Sequence, residues 1–155
     1  MLRCFSYLLE RLKKDGVVLV NDPFWIRNLS DKLCIFDYPD YMPPTLVSRD
    51  DTEIEQFFLK HQDVVIKPLY SFHGHGIERT NDISAALAMV EKTDEPLMFQ
   101  PFLKEIAQGN VRIVFFDGDV VGALNTSVPN PDKELRKYRD SVDTAHHLKP
   151  HEKKL

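Results

Sequence analysis

The sequence predicts an α+β fold, with mixed or antiparallel sheets flanked by helices. Three observations point there. Apolar runs of strand length alternate with stretches whose apolar residues recur at helical spacing. One segment, "NVRIVFFDGDVVGALNTSV", reads as two strands joined by a tight turn around Gly118. The 155 residues are 43% hydrophobic and 28% charged, the composition of an ordinary globular chain that can bury a core.

The elements follow in order. Residues 5–14 place Tyr7, Leu8, Leu9 and Leu12 near one side of a helix, and Gly16 supplies a stop. "GVVLVNDP" reads as a short buried strand ended by Asn21, Asp22 and Pro23. Pro23 then opens a helix through "FWIRNLSDKLCIF". After the stiff "YMPP" connector, "TLVSR" is a second strand, and Asp51 is placed to cap the amphipathic helix "TEIEQFFLKH". "DVVIKPL" is the next strand, followed by a glycine-spaced loop and a short strand beginning at Gly76. "NDISAALAMVEK" is helical with Asn81 or Asp82 as cap, and "PLMFQPF" is a strand ahead of the hairpin. From Pro129 the composition becomes polar and charged, which predicts a long loop and then a helix beginning near Lys149. "LKPHEKKL" resembles a helix cut off in its first turns, so the chain reads as a fragment. No internal repeat or low-complexity tract is present.

Charge and composition exclude several functions. Twenty Lys and Arg against 24 Asp and Glu give a formal net charge of −4, which offers no general attraction to nucleic acid or anionic lipid. An anionic ligand must therefore be held by a local site. No apolar run approaches the ~20 residues of a membrane span, and "MLRCFSYLLERLKK" is broken by charges too early for a secretory signal. The reading is a cytoplasmic protein without nucleic-acid or membrane partners. Cys4 and Cys34 are too few for a disulfide scaffold and form no CxxC pair, so they are core or free thiols.

The stretch "VVIKPLYSFHGHGIER" carries the first candidate site. Lys67 ends an aliphatic strand, which a lysine tolerates when its stem packs along apolar surface and its ammonium reaches solvent. The neighbours suggest more. Pro68 ends the strand, and Gly74 and Gly76 permit backbone conformations and close ligand approach that a Cβ resists. Successive amides in such a loop form a concave anion site, and a nearby ammonium suits phosphate. A nucleotide phosphate is the ligand this pairing predicts. It is not a P-loop, since the lysine precedes the glycines and no GK[ST] follows. His73 and His75 could supply imidazoles to a metal, but two ligands without carboxylate or thiol partners make a weak set, and no metal ligand is assigned. His146, His147 and His151 read as solvated, and His61 sits favourably at a helix C-terminus.

The second candidate is "LMFQPFLKEI". Its strand carries Gln100, and Pro101, Phe102 and Leu103 form a connector able to face a flat heterocycle. Adenine needs apolar faces and a few directed hydrogen bonds. Taken alone, Phe102 and Leu103 read simply as core.

Together, "VNDPFWIRNLSDKL", "PPTLVSRDDTEIEQFFLKHQDVVIKPL", "GHGIER", "FQPFLKEI" and "GNVRIVFFDGDVVGALN" resemble, in order and spacing from residue 17 to 125, the bacterial type of glutathione synthetase, an ATP-grasp carboxylate–amine ligase. The resemblance implies an incomplete ATP-grasp fold. It places Lys32 and Lys67 on the ATP phosphates and Gln100, Pro101, Phe102 and Leu103 around adenine. Residues 71–77, with Ser71, Gly74, Gly76 and Ile77, become a lid over the phosphates. Arg112, with Arg136 further on, falls beside the phosphates and an acyl intermediate. The implied reaction transfers the γ-phosphoryl group of ATP to the carboxylate of γ-glutamylcysteine, after which the amine of glycine displaces phosphate. Phosphorylation makes the carboxylate electrophilic and supplies a leaving group, while magnesium (or manganese), lysines and arginines neutralise the accumulating charge.

This chain also departs from the family's pattern. Ser71 and His73 replace lid glycines, Asn110 and Val111 replace an acid and a lysine beside Arg112, and Ser127 stands where an arginine is expected. The glycine-rich stretch that follows in relatives is absent from "KYRDSVDTAHH". The family's magnesium ligands fall beyond the equivalent of Leu155. The resemblance implies residues 1–30 as the tail of a preceding domain, 31–103 as the central lid subdomain, and 104–155 as the start of a further one. A complete relative would be a homo-oligomer. A degenerate nucleotide-binding remnant, or a ligase with another carboxylate and amine pair, remains open beside glutathione synthesis.

Overall fold

The computed structural model describes residues 2–71, 74–127, 142–150 and 152. The chain divides into two compact units, Met1–Pro44 and Thr45–Leu155.

The first unit is built on two helices. Helix α1 (Leu2–Lys14) gathers Arg11, Lys13 and Lys14 in its last turn, where cations complement the helix dipole. It stops at Gly16, whose φ of 88° suits a residue without Cβ. The Gly16 amide donates to the Lys13 carbonyl and the Val17 amide to that of Leu12, both at 3.1 Å, the Schellman pattern of helix termination. The strand expected at residues 17–20 does not form. Val18 and Val20 are 90% and 89% exposed. A strand needs a neighbour to satisfy its backbone groups, and among the described residues this unit contains none.

Helix α2 (Pro23–Asn28) begins as proline predicts, with the Asp22 carboxylate accepting from the Phe24 amide. It is shorter than expected. Leu29 turns extended at φ −91° and ψ 97°, and the chain continues in 3₁₀ turns at Cys34–Asp37 and Pro39–Tyr41. The Ser30 carbonyl accepts from both Leu33 and Cys34 amides, so a local turn replaces helix propagation. Arg27 joins the helices: it donates to Glu10 at 2.9 Å, and its guanidinium lies 4.0 Å from the Tyr7 ring centroid. Cys34 is a free, half-buried thiol. The side chain of Cys4 lies outside the described residues.

The second unit carries two antiparallel sheets. Strands β1 (Leu46–Ser48), β2 (Val64–Pro68), β3 (Glu78–Thr80) and β4 (Leu97–Pro101) form the first, in the order β1-β4-β2-β3. Helices α3 (Asp51–His61) and α4 (Ile83–Glu91) share one core with it. Ile54 and Phe58 from α3, Ala86 and Val90 from α4, and Val64, Ile66, Leu97 and Phe99 from the strands make up that core. Period-two alternation therefore turns Val65, Lys67, Met98 and Gln100 to the opposite face. The α3 cap is Asp50 rather than Asp51: its carboxylate accepts from the Glu53 amide at 3.0 Å. For α4 it is Asp82, bonded to the Ser84 amide. Strand β3 begins two positions later than expected, after the glycines.

Strands β5 (Asn110–Phe116), β6 (Asp119–Ser127) and β7 (Val142–Ala145) form the second sheet, ordered β5-β6-β7. The hairpin turn is Asp117-Gly118, both at positive φ (51° and 86°), the two-residue geometry that matches strand twist. β7 replaces part of the expected loop. Its residues pair with β6 from Leu124↔Ala145 to Ser127↔Val142, so an available strand edge recruits a segment with no apolar alternation of its own. Residues 128–141, and most of the helix expected near Lys149, lie outside the described residues.

Candidate functional site

Lys67 sits near the end of β2 on the face turned away from the core. Its ammonium donates to Gln100 Oε1 at 2.6 Å, and Gln100 Nε2 donates to Thr45 Oγ1 at 2.8 Å. The antiparallel register makes this contact. Lys67 pairs with Met98 and Val65 with Gln100, so lysine and glutamine are diagonal neighbours on one face. Gln100 is only 6% exposed, which makes its two bonds consequential. A charged donor shortens and strengthens such a bond, and this one uses one of the three N–H groups of an ammonium.

The loop after Pro68 folds back on the strand that carries the lysine. Ser71 Oγ donates to the Pro68 carbonyl at 3.2 Å, and the Ile77 amide donates to the Gly74 carbonyl at 3.3 Å. Gly74 and Gly76 both take positive φ, 75° and 71°. A Cβ on Gly76 would stand 3.0 Å from Pro68 Cγ, so glycine is what allows the loop to return so closely. Phe72 and His73 lie outside the described residues.

The connector after β4 is pinned from β2 and β3. The Phe102 amide donates to the Asp63 carbonyl at 2.9 Å. Arg79, on β3 opposite Val65, holds the Asp63 carboxylate through Nε at 2.8 Å and Nη2 at 2.6 Å. The same guanidinium lies over the Phe102 ring, 3.5 Å from its centroid. Arg79's hydrogen bond keeps the Asp63 carboxyl below its ordinary pKa, against a smaller opposing effect of burial, and the pairing raises that of Arg79. Among the described residues, the Phe102 carbonyl and the Leu103 amide have no hydrogen-bond partner. They form an adjacent acceptor and donor next to the half-buried Phe102 ring and the half-exposed Leu103 side chain.

The candidate residues thus fall into groups. Lys67 on β2 has Gln100 and Pro101 on the neighbouring β4; the loop bearing Ser71, Gly74, Gly76 and Ile77 leaves the Pro68 end of β2 for β3, and Phe102 follows β4 at the Asp63 end. Arg112 is an exposed residue of β5 in the second sheet, paired with Leu124. Lys32 belongs to the first unit, in the turn before Cys34. Arg136 lies outside the described residues. His146 is not solvated as expected, for its Nε2 lies 3.0 Å from Glu152 and the pair is largely buried. Among the described residues no group of three His, Cys, Asp or Glu side chains could hold a metal ion. Thr45, Asp63 and Arg79 were not singled out from the sequence.

Comparison with known proteins identifies the family and the fold. The family described as prokaryotic glutathione synthetase, ATP-grasp domain, matches residues 31–153. The glutathione synthetase of Brucella melitensis is 33% identical over 155 residues, covering 97% of this chain and 49% of that protein. That of Rhodopseudomonas palustris is 35% identical over 158 residues, with the same 97% and 49% coverage. The chain therefore spans about half the length of the curated relatives it matches. Among solved structures, the ATP-grasp ligase PsnB, complexed with a precursor variant, Mg and ADP, superposes with a TM-score of 0.66 at 18% identity, covering 97% of this chain and 47% of that one. D-cycloserine synthetase DcsG gives 0.66 at 16% identity, covering 92% and 54%. At these identities the likeness shows the fold, which is ATP-grasp.

Proposed function

The chain belongs to the family of prokaryotic glutathione synthetase ATP-grasp domains, and on that premise we propose that it forms the nucleotide-binding part of a carboxylate–amine ligase. The observation that carries the reading is the bond between Lys67 and Gln100. It puts the cation suited to phosphate and the first residue of the base connector on one sheet face, as a ligand with a polyanionic end and a flat end requires.

In this proposal Lys67 holds the ATP phosphates and the loop with Ser71, Gly74, Gly76 and Ile77 closes over them; for Lys32, in the first unit, a phosphate role is only what the family resemblance implies. Gln100, Pro101, Phe102 and Leu103 take adenine, with the Phe102 carbonyl and Leu103 amide offered to its edge. Arg112 and Arg136 neutralise charge as the γ-phosphoryl group moves to the carboxylate of γ-glutamylcysteine and the glycine amine displaces phosphate. Magnesium enters such sites on nucleotide phosphates, where it would neutralise charge; among the described residues no group of three His, Cys, Asp or Glu side chains could hold it. The subdomain limits 31–103 and 104–155, homo-oligomerisation and a cytoplasmic location belong to the same proposal. Among the described residues no helix is long and apolar enough to cross a membrane.

A second reading, a nucleotide-binding module without turnover, is favoured by the neutral pair Asn110 and Val111 beside Arg112. Calorimetric titration of the 155-residue chain with MgATP tests what both readings share. Binding is expected, weakened about ten-fold or more, some 1.4 kcal/mol per decade, in Lys67→Ala. Unchanged affinity in that variant would sink both. Incubation with MgATP, γ-glutamylcysteine and glycine separates the rest: this chain alone is expected to release no ADP, and robust release would show it to be a sufficient ligase.

A further inference from the structure

We propose that Asp63 and Arg79 are positioning residues for the base connector: together they fix the plane of Phe102 and select which backbone groups of residues 100–103 can read a nucleobase. The inference rests on the nucleotide reading above and specifies how its base end is built.

The geometry is a three-strand clamp. Val65, the second residue of β2, pairs with Arg79 on one side and Gln100 on the other. Asp63 precedes β2 by one residue and Phe102 follows β4 by one, so the three side chains meet at the same end of the sheet. Asp63 holds Phe102 twice, directly through its carbonyl to the Phe102 amide, and indirectly through its carboxylate to the guanidinium lying on the ring. A guanidinium can do both at once, because its N–H donors point outward in its plane while its flat face is available for stacking. Lysine has no such plane.

Two consequences follow for a ligand. Arg79 occupies one face of the Phe102 ring, so the wall available to a heterocycle is the other face, held at a fixed angle. The Phe102 amide is consumed by Asp63, which leaves the Phe102 carbonyl and the Leu103 amide as an adjacent acceptor and donor without a partner among the described residues. Both are defined by the clamp rather than by the connector's own sequence. Arg79 is also paired with a carboxylate, so the clamp is close to neutral and adds little to attraction for phosphate. That separates it from Lys67. Loss of the clamp should affect the base end of the ligand and spare the phosphate end.

The test compares ATP, GTP and inorganic tripolyphosphate, which has no base, as calorimetric titrants of the 155-residue protein and of Arg79→Gln and Asp63→Asn. Both variants are expected to bind ATP about five- to ten-fold more weakly, the scale of a lost stacking contact and its ordering. Affinity for tripolyphosphate should stay within about two-fold and the preference for ATP over GTP should narrow. Arg79→Lys, which keeps the charge without the fork, should fall between; it carries the same comparison if Arg79→Gln does not fold. Equal losses for ATP and tripolyphosphate, or no loss for ATP, would overturn the positioning role while leaving the nucleotide site standing. A wild-type chain that binds neither titrant would overturn the nucleotide reading and this inference with it.

Discussion

The ammonium of Lys67 and the side-chain carbonyl of Gln100, 33 positions apart, meet at 2.6 Å on the sheet face turned from the core. The contact belongs to the folded chain itself, so it can be measured without nucleotide. Lys67→Met keeps the stem and removes the donor, leaving a buried acceptor on Gln100, at a cost of roughly 1–3 kcal/mol. Gln100→Leu removes acceptor and Thr45 partner together. If the contact forms in solution, the double variant is less destabilised than the sum of the two, with a coupling of about 0.5–3 kcal/mol in urea unfolding. Strict additivity would mean the side chains do not meet.

Gly76 and Gly16 make a controlled pair. Both have positive φ, 71° and 88°, so alanine is strained at either, by about 1–2 kcal/mol. Only Gly76 also has a neighbour in the way, Pro68 Cγ at 3.0 Å, in a rigid ring that cannot swing aside. Gly76→Ala is therefore expected to lower the urea midpoint more than Gly16→Ala and to weaken ATP binding, while Gly16→Ala leaves binding alone. The opposite ranking would show that the loop does not return against Pro68 in solution.

What the sequence disclosed depended on the range of the interaction. β2, β4, α3, α4 and the hairpin were legible because each carries its own pattern: Val64-Val65-Ile66 and Leu97-Met98-Phe99 are apolar runs of strand length, and Asp117-Gly118 names its turn. Failures came where a neighbour decides. Residues 17–20 look like a strand but have no partner strand among the described residues, and residues 142–145 look like a loop but find the edge of β6. At the site, Lys67, Gly76 and Gln100 each announced themselves by residue type. The Asp63–Arg79 fork did not, since a charged pair 16 residues apart becomes a clamp only once the register of β2 and β3 is known.

The core side of the same sheet predicts a sharp contrast in tolerance. Phe99 is fully buried among α3, α4 and β2, while Phe116, at the hairpin tip, is 72% exposed. Phe99→Ala should cost about 3–5 kcal/mol, because the surrounding helices and strands cannot close the vacated volume. Phe116→Ala should stay within about 0.5 kcal/mol. Urea midpoints decide it, and a large loss at Phe116 would indicate that the exposed end of the second sheet is covered in solution.

Acid should find the clamp before it finds the core. Asp63 has its folded pKa below the ordinary 3.8, chiefly through the hydrogen bond from Arg79, and the arginine does not titrate in this range. A carboxyl with a depressed folded pKa binds more protons unfolded than folded, so stability rises with pH through the window between the two values. The contribution of the pair is thus complete above the unfolded value of about 3.9 and is lost as pH falls through the lower folded value. Asp22, bonded by Lys13 and by the Phe24 amide, shifts down from the same ordinary value, and Glu10, bonded by Arg27, shifts down from a higher one, 4.5. Urea unfolding of wild type and Asp63→Asn at pH 6, 4 and 3 isolates the one pair: the variant should start less stable at pH 6, and the gap should narrow as pH falls below the ordinary value of 3.8. Both half-exposed partners are screened by water, so the difference is small and shrinks further in salt. Parallel curves would mean that Asp63 carries no proton-linked bond to Arg79, and would remove the carboxylate arm of the clamp on Phe102.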